Sequence, residues 1–258
     1  MSSTLACMTG PAEITVVTWN AQGSRGLDEA AVAAALGAFE PDLVLLQEVQ
    51  RTQLGALRAA MGMTDARWRF KHWAITVPAE GLGLLSVQPF DRVRSKVLAH
   101  AWQFWNWRRR IAIHFDLPVG ESVGLPASRP AVLRGVNVHL GAGVTHDERT
   151  RQARTLLGSA PGAHLIAGDL NAEPESSELA CFAEHGFSDA ERGLHGDRPR
   201  PSTNWKPGPR TDPPTQRLDY LLIRSDLEAT EAFVPVDWQA WAPLSDHLPV
   251  IARLRVHV

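Results

Sequence analysis

The sequence predicts an α/β fold of the α+β kind, in which a sandwich of mixed β-sheets carries helices on its outer faces. Short apolar runs bounded by turn residues recur along all 258 residues, and each is typical of a strand. Helical patterns separate only some of these runs, so several strands follow one another directly, which disfavours a purely doubly wound sheet. No apolar run approaches the ~18 to 20 residues that a membrane-spanning helix requires.

Eight segments are predicted as strands: 14–19, 43–46, 83–87, 111–117, 132–140, 164–167, 218–223 and 249–256. Two helices are predicted between them. Val32, Leu36 and Phe39 share one face of an Ala-rich segment, and 145–157 opens with the capping box Thr145-x-x-Glu148. Segment 192–216 contains six prolines, a density that predicts a loop without a central strand or helix. Loops of this length are usually functional or disordered.

One domain is expected over residues 12–258, after a short extension at 1–11, because no convincing linker divides the chain. The formal net charge of −2 predicts no global positive field, so any contact with phosphates must be local. Cys7 and Cys181 are too few for a disulfide framework, and they lack the spacing of a zinc site. The N-terminus lacks the basic and apolar regions of a secretory signal, so a cytoplasmic location is expected.

Polar residues interrupt or follow six of the predicted strands. With period two, Asn20 closes the buried face of the first strand, and Glu48 closes that of the second. The other polar positions are Asn137, His139, Asp169, Asn171, Asp219, Asp246 and His247. Taken singly, each has an ordinary explanation, such as a turn former, a core histidine or a buried paired acid. Together they supply hard oxygen ligands and two imidazoles, which suit Mg²⁺ and phosphate chemistry because close carboxylates repel one another without a cation.

The segments around these residues resemble, in order, the motifs of the endonuclease/exonuclease/phosphatase superfamily. The motifs are Thr18-Trp19-Asn20, Gln47-Glu48, Gly83-Leu84-Leu85-Ser86, Asn137-Val138-His139-Leu140, Gly168-Asp169-Leu170-Asn171, Arg217-Leu218-Asp219-Tyr220 and Ser245-Asp246-His247. Each motif is weak alone, and seven in the right order are specific. The resemblance spans 18–256, and it implies a four-layer αββα sandwich with the site at one edge of the two packed sheets.

The resemblance also implies a role for each polar residue. Glu48 binds a divalent cation, Mg²⁺ or Mn²⁺, with Asn20 and Asp246 close to it. Asp169 orients and deprotonates the attacking water, while Asn171 donates its amide to the scissile phosphate.

Two histidines complete the implied centre. His247 and His139 stabilise charge on the phosphoryl oxygens or relay protons, and Asp219 is the acid expected behind His247. The histidine at position 139 is a further point of resemblance, because nucleases of the pancreatic deoxyribonuclease type, sphingomyelinases and inositol-polyphosphate phosphatases carry a histidine in this motif. Abasic-site endonucleases typically lack it, so the resemblance disfavours that activity. The sequence departs from the family pattern at Leu170, where Phe is common, and at Val87, where the family often has a basic residue directly after the serine. The second departure leaves the substrate class open.

Two stretches combine aromatic and basic residues. Trp102, Phe104, Trp105 and Trp107 run into Arg108, Arg109 and Arg110, and the Pro-rich loop contains Thr203, Asn204, Trp205 and Lys206. Because bases stack on aromatic rings and phosphates pair with arginine, Arg109, Arg110, Thr203 and Trp205 are candidates for substrate binding. The alternative interpretation is that these tryptophans fill the core.

The sequence therefore predicts a metal-dependent hydrolase of phosphoester bonds, with a phosphodiesterase or nuclease as the first expectation. DNA or RNA is the candidate substrate, and the expected state is a monomer without a membrane span or an obligate protein partner. One alternative is an enzyme acting on a lipid or small-molecule phosphoester. A non-catalytic binding module is the other, although such a module would be expected to lose Glu48, Asp169 or His247, and the sequence keeps all three.

Overall fold

The computed structural model describes residues 12–74, 77–103, 106–120, 131–196, 198 and 201–257, without the side chains of 72–74, 77, 101–103 and 106–108. The expected extension at 1–11 lies outside these residues. So do Phe104 and Trp105 of the aromatic stretch, together with the side chains of Trp102, Trp107 and Arg108.

Twelve strands form the framework of the described residues. They are β1 (Ala12–Asn20), β2 (Leu43–Val49), β3 (Asp65–Ala74), β4 (Val77–Ser86), β5 (Arg92–Gln103), β6 (Asn106–Val119), β7 (Ala131–His139), β8 (Leu165–Asp169), β9 (Ser188–Asp189), β10 (Asp219–Ile223), β11 (Leu227–Phe233) and β12 (Val250–Val256). The pairing order is β11-β12-β1-β2-β4-β3-β6-β7-β8-β10-β9, with β5 against the other side of β6. A short β3–β6 contact links two mixed sheets of six strands each.

Helices cover the outer faces of both sheets. They are α1 (Glu29–Gly37), α2 (Arg51–Ala60), α3 (His146–Ser159), α4 (Ser177–Glu184), α5 (Ala190–His195) and α6 (Trp238–Trp241). Leu36 of α1 and Leu57 of α2 pack on the first sheet, and Leu156 of α3 and Phe182 of α4 pack on the second. The predicted αββα sandwich is therefore confirmed.

Strand register sets the positions of the polar strand ends. His139 pairs with Asp169 in the parallel β7–β8 ladder, and Asp169 pairs with Asp219 in the antiparallel β8–β10 ladder. These three residues therefore lie side by side at one edge of the second sheet. In the first sheet, Asn20 pairs with Gln47 at the corresponding edge.

A buried amide joins the two sheets directly behind this edge. Asn137 Nδ2 of β7 donates to the carbonyl oxygens of Leu46 (3.0 Å) and Gly83 (2.9 Å) in the opposite sheet. Its Oδ1 accepts from Gln47 Nε2 at 2.8 Å. Asn137 is fully buried, so these bonds fix how one sheet lies on the other.

The structure revises some boundaries predicted from the sequence. The helix with Val32 and Leu36 ends at Gly37, before Phe39. Thr145 caps α3 as expected, since its Oγ1 accepts from Glu148 N at 3.2 Å. The segment 192–216 is not loop throughout, because α5 includes its first four residues before the prolines begin. Within the described residues, no helix is long and apolar enough to cross a membrane.

Candidate active site

Asp169 lies at the centre of a buried polar cluster at the sheet edge. Its Oδ2 accepts from Asn20 Nδ2 at 3.0 Å, and it lies 3.4 Å from His139 Nε2 and 3.9 Å from His247 Nε2. The resemblance placed these residues at one site, and the structure brings them together from three strands and the segment before β12.

The backbone around Asp169 is specialised for this position. Gly168 adopts a φ of +140°, and a Cβ there would lie 1.9 Å from the carbonyl oxygen of Val138, so only glycine fits. Asn171 takes a left-handed φ of 48°, and its backbone N–H donates to Asp169 Oδ1 at 2.9 Å. Its side-chain amide donates to the Leu140 carbonyl oxygen at 3.2 Å. Asn171 therefore orients Asp169 and lies beside it.

Burial and the neighbouring Asp219 carboxylate raise the pKa of Asp169 to about 6, against the opposing effect of His247 and the hydrogen bonds from Asn20 and Asn171. A carboxylate with this pKa is ionised at neutral pH and still accepts a proton readily. Those are the requirements for a general base.

His247 and Asp219 form a hydrogen-bonded pair behind Asp169. His247 Nδ1 lies 2.7 Å from Asp219 Oδ2, and Thr203 Oγ1 accepts from the Asp219 backbone N–H at 3.2 Å. Burial opposes the charge on His247, but Asp219, Asp169 and Asp246 outweigh it and raise the pKa of His247 to about 10. His247 is therefore protonated at neutral pH. Asp219 Oδ1 has no hydrogen-bond partner among the described residues.

Asn204 contacts the other ring nitrogen of this histidine. Its Nδ2 lies 2.8 Å from His247 Nε2 and 3.2 Å from the Asp246 carbonyl oxygen. Two N–H donors cannot bond to one another, so a protonated His247 requires the Asn204 amide to turn and present Oδ1 to Nε2–H. We assign this orientation to the charged state, because three carboxylates surround the imidazole.

Glu48 and His139 meet at a lysine that the sequence analysis did not identify. Lys71 Nζ lies 3.1 Å from Glu48 Oε1 and 3.0 Å from His139 Nδ1, and the Lys71 side chain is 4% exposed. Burial lowers the pKa of Lys71. Burial also disfavours the Glu48 carboxylate, but the Lys71 ammonium outweighs this effect and the pKa of Glu48 lies below its ordinary value.

A β-bulge places Glu48 in this position. The register of β2 against β4 shifts between Leu46 and Val49, and Glu48 has a left-handed φ of 54°. A bulge re-aims the side chain that it contains, and non-glycine residues in this conformation concentrate at functional sites.

Asp246 lies at the open side of the cluster. Its Oδ2 accepts from Gln22 Nε2 at 2.5 Å, and Gln22 Oε1 in turn accepts from Arg210 Nη2 at 3.0 Å. Burial raises the pKa of Asp246, and the Glu48 carboxylate adds to this shift. Gln22 also joins this residue to Asn20, because the Gln22 backbone N–H donates to Asn20 Oδ1 at 3.2 Å.

Two groups of residues could hold a metal ion. Glu48, Asn20 and Asp246 offer the hard oxygen donors that Mg²⁺ prefers. Asp169, Asp219 and His247 also approach closely, with one ligand atom from each lying within 4.8 Å of the others. The 2.7 Å bond between Asp219 and His247 occupies two donors of this second group. The proximity of ionised Glu48 to Asp246 suits a cation between them.

The candidates for substrate binding lie in different environments. Arg109 Nη2 donates to the Phe70 carbonyl oxygen at 2.6 Å, and its guanidinium lies 5.1 Å from the Phe70 ring centroid. Arg110 is on the opposite face of β6 and acts electrostatically on Glu48. Thr203 is fully buried and holds the start of β10. Arg109 and Arg110 are both half-buried, and Arg110 lines a cavity.

Trp205 is a core residue in the structure. It is 6% exposed, its ring packs edge-on against Trp238 at 6.2 Å, and its Nε1 donates to the Asp212 carbonyl oxygen at 2.7 Å. We expect Trp205→Ala to lower the free energy of unfolding by about 3–5 kcal/mol, measured by urea denaturation. Trp205→Phe, which keeps a ring and loses the hydrogen bond, should cost less. An unchanged stability in Trp205→Ala would show that this ring is not part of the core.

Sequence reasoning missed Lys71 and Gln22 as parts of the site. Lys71 lies in β3, a strand whose alternating charges gave no apolar run, and Gln22 follows β1 in a short irregular segment. Only their three-dimensional neighbours distinguish them from surface polar residues.

Comparison with known proteins agrees with the fold and with the motifs. A sequence profile described as "Endonuclease/Exonuclease/phosphatase family" matches residues 17–247. No curated protein sequence matches the chain.

Three of the similar solved structures illustrate the likeness. An endonuclease/exonuclease/phosphatase from Bacteroides vulgatus is 18% identical with a TM-score of 0.74, and the match covers 95% of this chain and 99% of that chain. The human Nocturnin catalytic domain with bound sulfate anion is 20% identical with a TM-score of 0.73, covering 95% and 94%. D. rerio TDP2, complexed with single strand DNA product, is 17% identical with a TM-score of 0.67, covering 95% and 99%.

These structures share the fold of the chain, and the profile covers nearly all of the sequence from β1 to His247, including the residues around Asp169. The chain therefore belongs to the endonuclease/exonuclease/phosphatase family.

Proposed function

We propose that this protein is a divalent-metal-dependent phosphodiesterase that hydrolyses its substrate by direct attack of water. The family supports a hydrolase of phosphoesters in general. The observation that carries the finer proposal is the position of Asp169, a carboxylate with a pKa of about 6, between Asn20, His139 and the protonated His247. Asp169 is the base in this arrangement, and the polar side chains around it can interact with a phosphate placed beside it.

In the proposed reaction, Asp169 takes a proton from water as the water oxygen forms a bond to phosphorus. The bond between phosphorus and the leaving oxygen breaks, and that oxygen takes a proton from solvent. The His247 imidazolium, whose two N–H groups bond to Asp219 and Asn204, stabilises negative charge on the phosphoryl oxygens electrostatically, and Asp219 keeps it charged and oriented. Asn171 donates one side-chain N–H to the Leu140 carbonyl oxygen, and we propose that the other donates to the same phosphate.

Lys71 provides positive potential at the other side of the centre, and His139 provides a hydrogen-bond donor there. Lys71 Nζ contacts His139 Nδ1, so the imidazole has Nε2 available toward Asp169. Phosphoryl transfer depends mainly on positioning and electrostatic stabilisation, and buried donors are well suited to both.

Glu48, Asn20 and Asp246 are the residues that we propose hold the metal ion. A bound Mg²⁺ or Mn²⁺ would supply positive charge for the phosphoryl oxygens. The two carboxylates disfavour one another's ionisation, and each already has a donor next to it, Lys71 beside Glu48 and Gln22 beside Asp246. A cation bound between the two carboxylates would offset their mutual repulsion.

Two similar structures contain ligands related to phosphoesters. The Nocturnin structure holds a sulfate anion, and the TDP2 structure holds a single-stranded DNA product. We propose a phosphodiester of a nucleic acid as the first substrate to test.

The direct experiment is hydrolysis of bis-p-nitrophenyl phosphate and of DNA, with Mg²⁺, with Mn²⁺ and with EDTA. We expect turnover with either metal, complete loss after chelation, and recovery when the metal is restored. A parallel panel of sphingomyelin and inositol phosphates tests lipid and small-molecule substrates. Activity that survives chelation would contradict the metal-dependent mechanism, and turnover confined to the lipid or inositol substrates would contradict the proposed substrate.

A further inference from the structure

We propose that a line of basic residues along the outer face of β5, beside α3, binds the backbone of a single-stranded nucleic acid and leads it into the active site. This inference rests on the proposed phosphodiesterase function and specifies the substrate for it. The line, called here the cationic track, comprises Arg92, Arg94, Lys96, Arg110 and Arg134.

Alternation along β5 creates the track. Arg92, Arg94 and Lys96 are exposed on one face of the strand, while Val93 and Val97 on the other face pack against the core. Among the described residues, β5 pairs only with β6, so it forms an edge of the second sheet. The basic side chains therefore stand along an accessible border of the molecule.

A cavity of about 220 Å³ marks the end of the track that lies away from the active site. Three guanidinium groups line it, from Arg92, Arg94 and Arg134, with Asp116 as its one carboxylate. Arg92 Nε is 4.0 Å from Asp116 Oδ2, and Arg94 Nη2 donates to the Ser159 carbonyl oxygen at 3.2 Å. One carboxylate does not neutralise three arginines, so the cavity keeps excess positive charge.

A buried histidine lies within the field of these basic residues. His114 also lines the cavity and lies opposite Arg94 in the β5–β6 ladder. Burial, followed by Arg94 and Lys96, lowers the pKa of His114 to about 4. The same field that disfavours a proton on His114 attracts an anion.

A second cavity, of about 420 Å³, marks the end of the track near the active site. His100, Arg110 and the segment 142–144, which closely follows His139, contribute to its walls. Its acidic residue, Glu148, already forms an ion pair with Arg151 at 2.5 Å. Arg110 acts electrostatically on both Glu48 and Lys71, so this cavity adjoins the catalytic cluster.

The shape of the track fits one nucleic-acid strand. From Arg92 to Ala99, the partner of Arg110 in the β5–β6 ladder, it extends about 23 Å, with a basic side chain about every 7 Å over its first part, as the strand repeat requires. A single line of cations matches a single line of phosphates, whereas a duplex presents two. A small phosphoester would reach only the cavity beside Arg110. Because the whole chain has a net charge of −2, its overall field does not attract a polyanion, and binding must rely on local positive charge such as this track.

The test is the affinity of the full-length protein for a 12-nucleotide single-stranded DNA, measured by fluorescence anisotropy in EDTA. The variant Arg92→Ser/Lys96→Ser should bind about tenfold more weakly at low salt. The slope of log affinity against log salt should fall by about 1.4, or ~0.7 for each lost phosphate contact. A four-nucleotide strand should show a smaller loss. Arg58→Ser/Arg253→Ser removes the same charge from exposed positions on α2 and β12 and should bind as the wild type does.

Turnover separates this inference from the proposed function. For the wild type and both variants, the rate of cleavage of the 12-nucleotide strand is divided by the rate of turnover of bis-p-nitrophenyl phosphate. This ratio should be lower than in the wild type only for Arg92→Ser/Lys96→Ser. If the wild type hydrolyses the small ester and the track variant binds the strand normally, the track is refuted and the proposed function stands. If the wild type hydrolyses neither substrate, the proposed function fails. Loss of binding to phosphatidylserine vesicles, with DNA binding intact, would instead assign the track to an anionic lipid surface.

Discussion

Asp169→Asn should lower kcat for bis-p-nitrophenyl phosphate by a factor of about 10² to 10⁴. The amide has nearly the shape of the carboxylate and still lies within reach of Asn20, but it cannot take a proton from water. The measurement is steady-state kinetics at pH 8, where the wild-type carboxylate is ionised because its pKa is about 6. The rate of the wild type should rise as pH increases through about 6.

Asp237→Asn is the matched control for this substitution. Asp237 is exposed and its side chain makes no capping bond to α6, so the change should leave kcat and KM unaltered. Circular dichroism of both variants verifies the fold. A folded Asp169→Asn protein with wild-type kcat would remove Asp169 from the role of general base.

Asp219→Asn should lower kcat by about 10² to 10⁴ and should also move the pH range of activity to lower pH, because Asp219 raises the pKa of both Asp169 and His247. In the wild type, Asp219 contributes to a His247 pKa of about 10, so His247 stays protonated at every pH below that value. Without this negative charge, burial disfavours the imidazolium and the pKa of His247 falls. The alkaline limb of the pH–rate profile should therefore move to lower pH.

Asp189→Asn tests whether the shift of the alkaline limb is specific to the loss of Asp219 rather than to the loss of any buried carboxylate. Asp189 is also buried and accepts from Arg217 Nη2 at 3.3 Å, so its loss should lower stability while both limbs of the profile keep their positions. A profile of Asp219→Asn with the wild-type alkaline limb would show that Asp219 does not govern the charge of His247.

The sequence predicted the centre of the site because strand ends are visible locally. A polar residue that closes an apolar run, as Asn20 and Asp169 do, is placed by period two and by the tendency of strand ends to meet at a sheet edge. Family resemblance then supplied the roles. The residues' convergence around Asp169 needed the register of β7, β8 and β10, which only the folded chain contains.

Other features depend on contacts that no local pattern encodes. The bulge at Glu48 arises from a register shift against β4, and Lys71 comes to Glu48 across a separation of 23 residues. β5 was not predicted as a strand because three basic residues on its exposed face break the apolar run. By its sequence, Trp205 is a candidate for substrate binding because an aromatic ring beside Lys206 could stack on a base, whereas in space its ring packs edge-on against Trp238.

The buried amide of Asn137 has a mechanical consequence. Glu48 belongs to one sheet and Asp169 to the other, so the residues proposed to bind the metal ion and to act as the base are carried on two sheets that could shift relative to one another. The Asn137 side chain donates hydrogen bonds to two carbonyl oxygens of the opposite sheet, and these bonds hold the two sheets in one relative position. The proposed catalysis would thus depend on a residue buried between the sheets, since a misplacement of about 1 Å in an active site can lower the rate about 10²-fold.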